Sequence, residues 1–273
     1  MAVETGRLHD VTRSARQAAS RLRHRTATVL APAVHAGLCL VATDVSEIVT
    51  AGRLLVVSPH PDDETLACGA LLAASASRGL KPVIVCVTDG RYGLGDLDPE
   101  ECARLRRSEL AASAESLGIA PDHVIMLRYE DSTVRDHVDE LAEDLSDLAR
   151  ELRPEVLVAP SPFDIHADHC AVADATRRVA QTLPVRHLEY VVWGWQHPVS
   201  WMATVHRRHG LGRPVKVRAG PAYERKLAAL ACYRSQVGLE GPLGTRFLRS
   251  FTRRHELFFE TRGRPSRGRR PAG

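Results

Sequence analysis

The sequence has no CxxC pair and no regular cysteine spacing. Its six cysteines stand at positions 39, 68, 86, 102, 170 and 232, which excludes a zinc ribbon and a disulfide framework. They read as small buried side chains in a reducing compartment. No cleavable leader is visible, because the first twenty-odd residues alternate charge with alanine and lack an apolar stretch. The mildly apolar segment 27–43 carries Pro32 and His35 and falls short of the roughly 20 residues a bilayer span requires. A soluble, cytoplasmic protein is therefore expected. Charge of one sign is also scarce: 37 Lys and Arg face 33 Asp and Glu, for a net +4 over 273 residues. Much of the arginine excess lies near the two ends, so nothing calls for nucleic acid as a partner. There is no internal repeat, and aromatics make up only 5%.

An ordinary share of apolar residues, 44%, supports one sizeable core. Three divisions are expected: an Arg/Ala-rich helical extension over 1–50, a catalytic-type domain over 51–261, and a basic tail over 262–273 that is disordered by composition. Within the domain, short apolar runs alternate with helical patterns. Runs at 54–57, 81–88, 124–127, 155–159 and 187–193 read as buried strands. Helices are expected at 66–74, 100–117, 133–152, 168–181 and 222–235, with an edge strand at 215–218 and residues 245–260 open between helix and strand. Repeated strand–helix alternation with short connections predicts an α/β fold, a mostly parallel, doubly wound sheet with helices on both faces.

Chemistry concentrates after the first and fourth of these strands. The first is followed by Pro59-His60-Pro61-Asp62-Asp63-Glu64, the fourth by Asp164-Ile165-His166-Ala167-Asp168-His169. A helix cap accounts for one acid, not for an imidazole beside two adjacent aspartates. In the common strand order 3-2-1-4-5, strands 1 and 4 flank the point where the winding reverses, so both loops meet at the expected ligand crevice. Three protein ligands and an open position make a catalytic zinc site. His60, Asp63 and His169 would supply them, with iron(II) suiting the same donors. Two consecutive aspartates cannot easily face one ion, which leaves Asp62 as general base. His166 would then approach the substrate oxygen, and Asp168 would orient an imidazole. Asp131, Arg91 and Trp195 are candidate substrate contacts. Asp131 follows the third strand, although a helix cap by it or by Ser132 explains it equally. Arg91, Arg104 and Arg107 could hold a polar substrate portion, with exposed helix arginines the plainer reading. Trp195 belongs to the most aromatic stretch, Trp193 to Trp201, where core packing competes with sugar stacking.

These motifs resemble the PIG-L, or LmbE-like, family of zinc-dependent N-deacetylases. Pro59 to Glu64 stands where the family has (P/A)HPDDE, and His166 to His169 where it has HPDH. Thr88-Asp89-Gly90, Arg107-Ser108-Glu109 and Ser235-Gln236 extend the likeness over roughly 53–236. The resemblance implies a Rossmann-like fold and removal of an N-acetyl group, usually from an N-acetylglucosamine-type sugar. By the same carry-over, His60, Asp63 and His169 are metal ligands, Asp62 is the base and His166 the oxyanion stabiliser. Ala167 departs from the family's proline, removing a backbone restraint but no functional group. Two other functions compete: a metal-dependent hydrolase of another bond, such as a phosphoester or a different amide, and a non-catalytic sugar- or nucleotide-binding module. The acceptor attached to the sugar, the physiological metal and the oligomeric state are not encoded legibly.

Overall fold

The computed structural model describes residues 31–208, 210–237 and 243–261. Residues 1–30 of the expected extension and the expected tail over 262–273 lie outside them. Residues 31–41 form helix α1, followed by β1 (Thr43–Asp44) and α2 (Ser46–Val49). The central units are β2 (Leu54–Ser58), α3 (Asp63–Ser77), β3 (Val83–Thr88), α4 (Pro99–Leu117), β4 (Val124–Tyr129), α5 (Val138–Leu152), β5 (Val156–Pro160), α6 (Ala167–Thr182) and β6 (Arg186–Tyr190). Then come α7 (Pro198–Arg208), β7 (Arg213–Arg218), α8 (Ala222–Leu230), α9 (Thr245–Leu248) and β8 (His255–Thr261).

The eight strands form one sheet in the order β1-β7-β8-β6-β5-β2-β3-β4. Its central run, β6-β5-β2-β3-β4, is parallel and reproduces the expected order of the five strands. β8 alone runs antiparallel, between β6 and β7. Every residue of β2, β3 and β5 is buried, as a parallel sheet covered on both faces requires. Their side chains alternate between two cores. Leu54, Val56, Val156 and Val158 face the layer that includes α3 and α8, whereas Leu55, Val57, Leu157 and Ala159 face that of α5 and α6. α5 buries one stripe, Leu141, Leu145 and Ala149. α3 is buried on nearly all sides, which explains its Ala-rich composition.

Several boundaries shift for physical reasons. The edge position assigned to 215–218 belongs instead to β1, whose Thr43 pairs with Val215. Val45 and Val49 belong to the same core as the sheet's α3 face, and Val34 and Leu38 of α1 pack against it. Residues 245–260 divide into α9 and the strand β8. α8 stops at Leu230, and turns at Cys232 and Tyr233 swing Tyr233 inward instead of continuing to Ser235. α3 begins at Asp63, three residues before the expected start, which places Asp63 and Glu64 in its first turn.

Candidate active site

The carboxyl ends of neighbouring strands β2 and β5 carry the two chemical loops. Each loop runs straight into a helix, α3 or α6, so carboxylates of the first turn sit where the helix dipole favours negative charge. Asp63 Oδ2 is the meeting point: it lies 3.3 Å from His60 Nδ1 and 3.2 Å from His169 Nε2. The far nitrogen of each imidazole is held by a carboxylate. His60 Nε2 lies 3.0 Å from Asp131 Oδ1 and 3.1 Å from Asp168 Oδ2. His169 Nδ1 donates to Asp164 Oδ2 at 3.0 Å. Asp164 is itself pinned by the backbone N–H groups of Val192, Trp193 and Gly194 at 2.8–3.2 Å.

Burial opposes charge on His60, but hydrogen bonds to Asp131, Asp168 and Asp63 outweigh it and raise the imidazole well above its ordinary range. His169 behaves alike: against burial, Asp63 and Asp164 hold it at about 9. Both rings carry protons that balance surrounding carboxylates. His169 Nε2 is nevertheless buried without a well-formed hydrogen bond, its approach to Asp63 being close but misaligned. A divalent cation fits this donor set, because it replaces the protons and uses the ring nitrogens that the outer carboxylates leave inward. Nitrogens of His60, His166 and His169 also lie within 4.8 Å of one another.

Asp62 and Asp63 diverge. Asp62 adopts φ 122°, which turns its carboxylate away from Asp63 and into the cavity. Burial pushes its carboxyl up to about 7, against the nearby Arg106 guanidinium, whose Nη2 lies 3.2 Å from Asp62 Oδ2. His166, across the cavity, is lowered to about 4 by burial and by His60 and His169. It is a neutral imidazole at pH 7, and its buried Nδ1 has no hydrogen bond. The cavity holds about 230 Å³ and is lined by Asp62, Asp63, Arg106, Asp131, His166, Trp193 and Phe247, among others.

The structure thus brings together His60, Asp62, Asp63, Asp131, His166, Asp168 and His169. It does not bring Arg91 or Trp195 to the cavity, and both expected substrate contacts are corrected. Arg91 is committed to Asp89, with bonds of 3.1 and 2.9 Å, and to Glu100. Trp195 is buried against His35 and Trp201, while Trp193 lines the cavity. The two lie in one 3₁₀ turn, where residues two apart point in different directions. Arg106 and Asp164 received no such role from the sequence, and Trp193 received one only as part of the aromatic stretch Trp193 to Trp201. Arg106 does leave a signal: it falls on the buried stripe of α4 with Ala103, Leu110 and Ala114, where a charge needs a partner. Asp164 follows no periodicity that would have singled it out.

Fold and site define a Rossmann-like α/β protein with an imidazole–carboxylate centre at the switch point of its sheet. The chain is similar to the PIG-L family over residues 55–180, under the description GlcNAc-PI de-N-acetylase. It is 34% identical over 159 residues to a 1D-myo-inositol 2-acetamido-2-deoxy-alpha-D-glucopyranoside deacetylase of Kineococcus radiotolerans, a match covering 46% of this chain and 44% of that protein. The chain thus spans less than half the length of that relative. A probable N-acetyl-alpha-D-glucosaminyl L-malate deacetylase 2 of Bacillus cereus is 29% identical, over 67% of this chain and 83% of its own. In fold the chain is similar to N,N'-diacetylchitobiose deacetylase from Pyrococcus horikoshii, with a TM-score of 0.62 at 22% identity, over 80% of this chain and 87% of that one. Among the described residues no helix is long and apolar enough to cross a membrane.

Proposed function

We propose that this protein is a metal-dependent hydrolase that removes the acetyl group from an N-acetylglucosamine-type sugar. One observation carries the reading. His60 and His169 turn inward toward Asp63 from carboxylate-held far nitrogens, and Asp62 and His166 open onto the same cavity. The names of the Kineococcus and Bacillus relatives support the substrate class.

His60, Asp63 and His169 would hold the ion, zinc in the first instance. Bound there, it would supply Lewis acidity that polarises the amide carbonyl and eases loss of a proton from water. Asp62, ionisable near neutral pH, accepts a proton from water as the water oxygen bonds to the carbonyl carbon. The neutral His166 donates a hydrogen bond to the carbonyl oxygen as negative charge grows on it. The C–N bond then breaks, and the proton held on Asp62 passes to the leaving nitrogen, giving acetate and a free amine. Asp131 and Asp168 fix His60, and Asp164 fixes His169. The test is acetate release from a panel of N-acetyl sugars, with zinc or iron(II) added back after chelation. Acetate release that survives complete metal removal, or no release from any member with either metal, would refute the reading.

A further inference from the structure

Resting on the deacetylase reading, we infer that the sugar's aglycone is a flat, uncharged apolar group, received by the Trp193–Phe247 wall of the cavity. The wall begins at the reacting end. Trp193 stacks on His166 with ring centroids 6.0 Å apart and an interplanar angle of 27°, and Phe247 stacks on the next side of Trp193 at 5.4 Å and 28°. Leu243 lines the same cavity. The rings adjoin in the order His166, Trp193, Phe247, with Trp193 half-buried and Phe247 buried.

Sugar chemistry decides what lies against it. The acetamido group sits on C2, next to the anomeric carbon, so the aglycone leaves the site one bond from the reacting substituent, close to His166 and to the wall that starts at it. The cavity, about 230 Å³, is below the roughly 300–1,000 Å³ of sites that enclose a drug-sized ligand, so the aglycone extends to the rim. An anionic aglycone finds little there. Among the described lining residues the cations are Arg106, committed to Asp62 and to the Pro61 carbonyl, and the protonated His60, committed to Asp63, Asp131 and Asp168. With a divalent ion in place of the His60 proton, the ion and Arg106 are balanced by Asp62, Asp63 and Asp131, so the lining offers a carboxylate or phosphate no surplus positive charge. Stacked rings with an offset face instead favour an aromatic or aliphatic face.

Steady-state kinetics with zinc-loaded protein on methyl, phenyl and carboxymethyl N-acetylglucosaminides tests this. Phenyl should show a KM about three- to tenfold below methyl, the scale of one aromatic stacking contact, and carboxymethyl should not improve on methyl. Phe247→Ala and, separately, Trp193→Phe should shrink the phenyl-to-methyl ratio. Because the wild-type ratio is read first, a variant that fails to fold does not remove the test. Equal KM values for methyl and phenyl, or a preference for carboxymethyl, would overturn the inference while leaving the deacetylase reading intact. Absence of acetate from all three would overturn the deacetylase reading itself and the inference that rests on it.

Discussion

Asp164 supports the proposed metal centre without touching the cavity, and Asp164→Asn separates orientation from ligation. In the native chain Oδ2 accepts His169 Nδ1–H and the Val192 and Trp193 amides, while Oδ1 accepts the Gly194 amide at 2.8 Å. All these partners are donors. An asparagine offers one oxygen, so whichever way it turns, its own N–H₂ faces at least one donor. Leaving a buried donor unpaired costs about 1–3 kcal/mol, which thermal or urea unfolding should register. Asparagine can still hold the ring in place, but it no longer supplies the negative charge that makes His169 a basic ligand. Loss of such an outer carboxylate typically costs about 10–100-fold in metal affinity, or about 1.4–2.7 kcal/mol. Competition of zinc-loaded protein against a fluorescent chelator at constant pH would measure it. If Asp164→Asn matched wild type within twofold in zinc affinity while folded by circular dichroism, the proposed role of Asp164 would be wrong.

Asp62→Asn should retain zinc by elemental analysis yet lose about 10²–10⁴ in kcat, because an amide cannot accept the water's proton; a metal-replete variant with wild-type turnover would exclude Asp62 as base. Lys226→Met should destabilise the fold by about 3–5 kcal/mol in urea unfolding, since it removes the one cation paired with buried Glu256, Nζ to Oε1 2.6 Å, and leaves that carboxylate only the Ala70 and Leu71 N–H groups; a loss under 1 kcal/mol would contradict that. His187 is lowered to about 4 by burial and by Arg177, so the unfolded chain takes up the proton first as pH falls. Its contribution is fully present above about 6.5 and is lost toward pH 4, by at most about 3 kcal/mol. His187→Phe should flatten that part of the stability–pH curve, and an identical slope in the variant would refute the assignment.

The alternation of buried runs and helical stripes made the five central strands and their order legible, because parallel strands covered on both faces leave continuous apolar segments. β8 was harder to read: Glu256 sits within its buried run and pairs with Lys226 from another element, a contact no local pattern announces. The two site loops were legible because their chemistry is dense and sequential. Their supports were not, since Asp164 acts through a backbone 28–30 residues further along the chain. The aromatic stretch pointed to the right loop but the wrong ring. Trp193 and Trp195 differ only in which way a short turn aims them, and that depends on Gly194, where an added Cβ would come within 2.5 Å of Val191.

The turn at His60–Glu64 works as one device, and its cost shows how. A non-glycine residue in a sparsely populated backbone region costs about 1–3 kcal/mol, and Asp62 stands at φ 122°. Glycine would relieve that strain but would leave the cavity without a carboxylate. Neighbouring groups hold the bend instead. Glu64 Oε2 accepts the Asp62 N–H at 3.0 Å, and the Asp62 carbonyl accepts the N–H groups of Thr65 and Leu66 at 3.0 and 2.8 Å, starting α3. Glu64 is fixed in turn by Thr65 at 2.6 Å, Ser58 at 3.4 Å and the Tyr233 hydroxyl. Three consecutive acids therefore face three ways: Asp62 to the cavity, Asp63 to the two imidazoles, and Glu64 into the core. Without the strained backbone at Asp62, the proposed base and the proposed ligand would point together, and their charges would compete for the same position instead of acting on opposite sides of the proposed reaction.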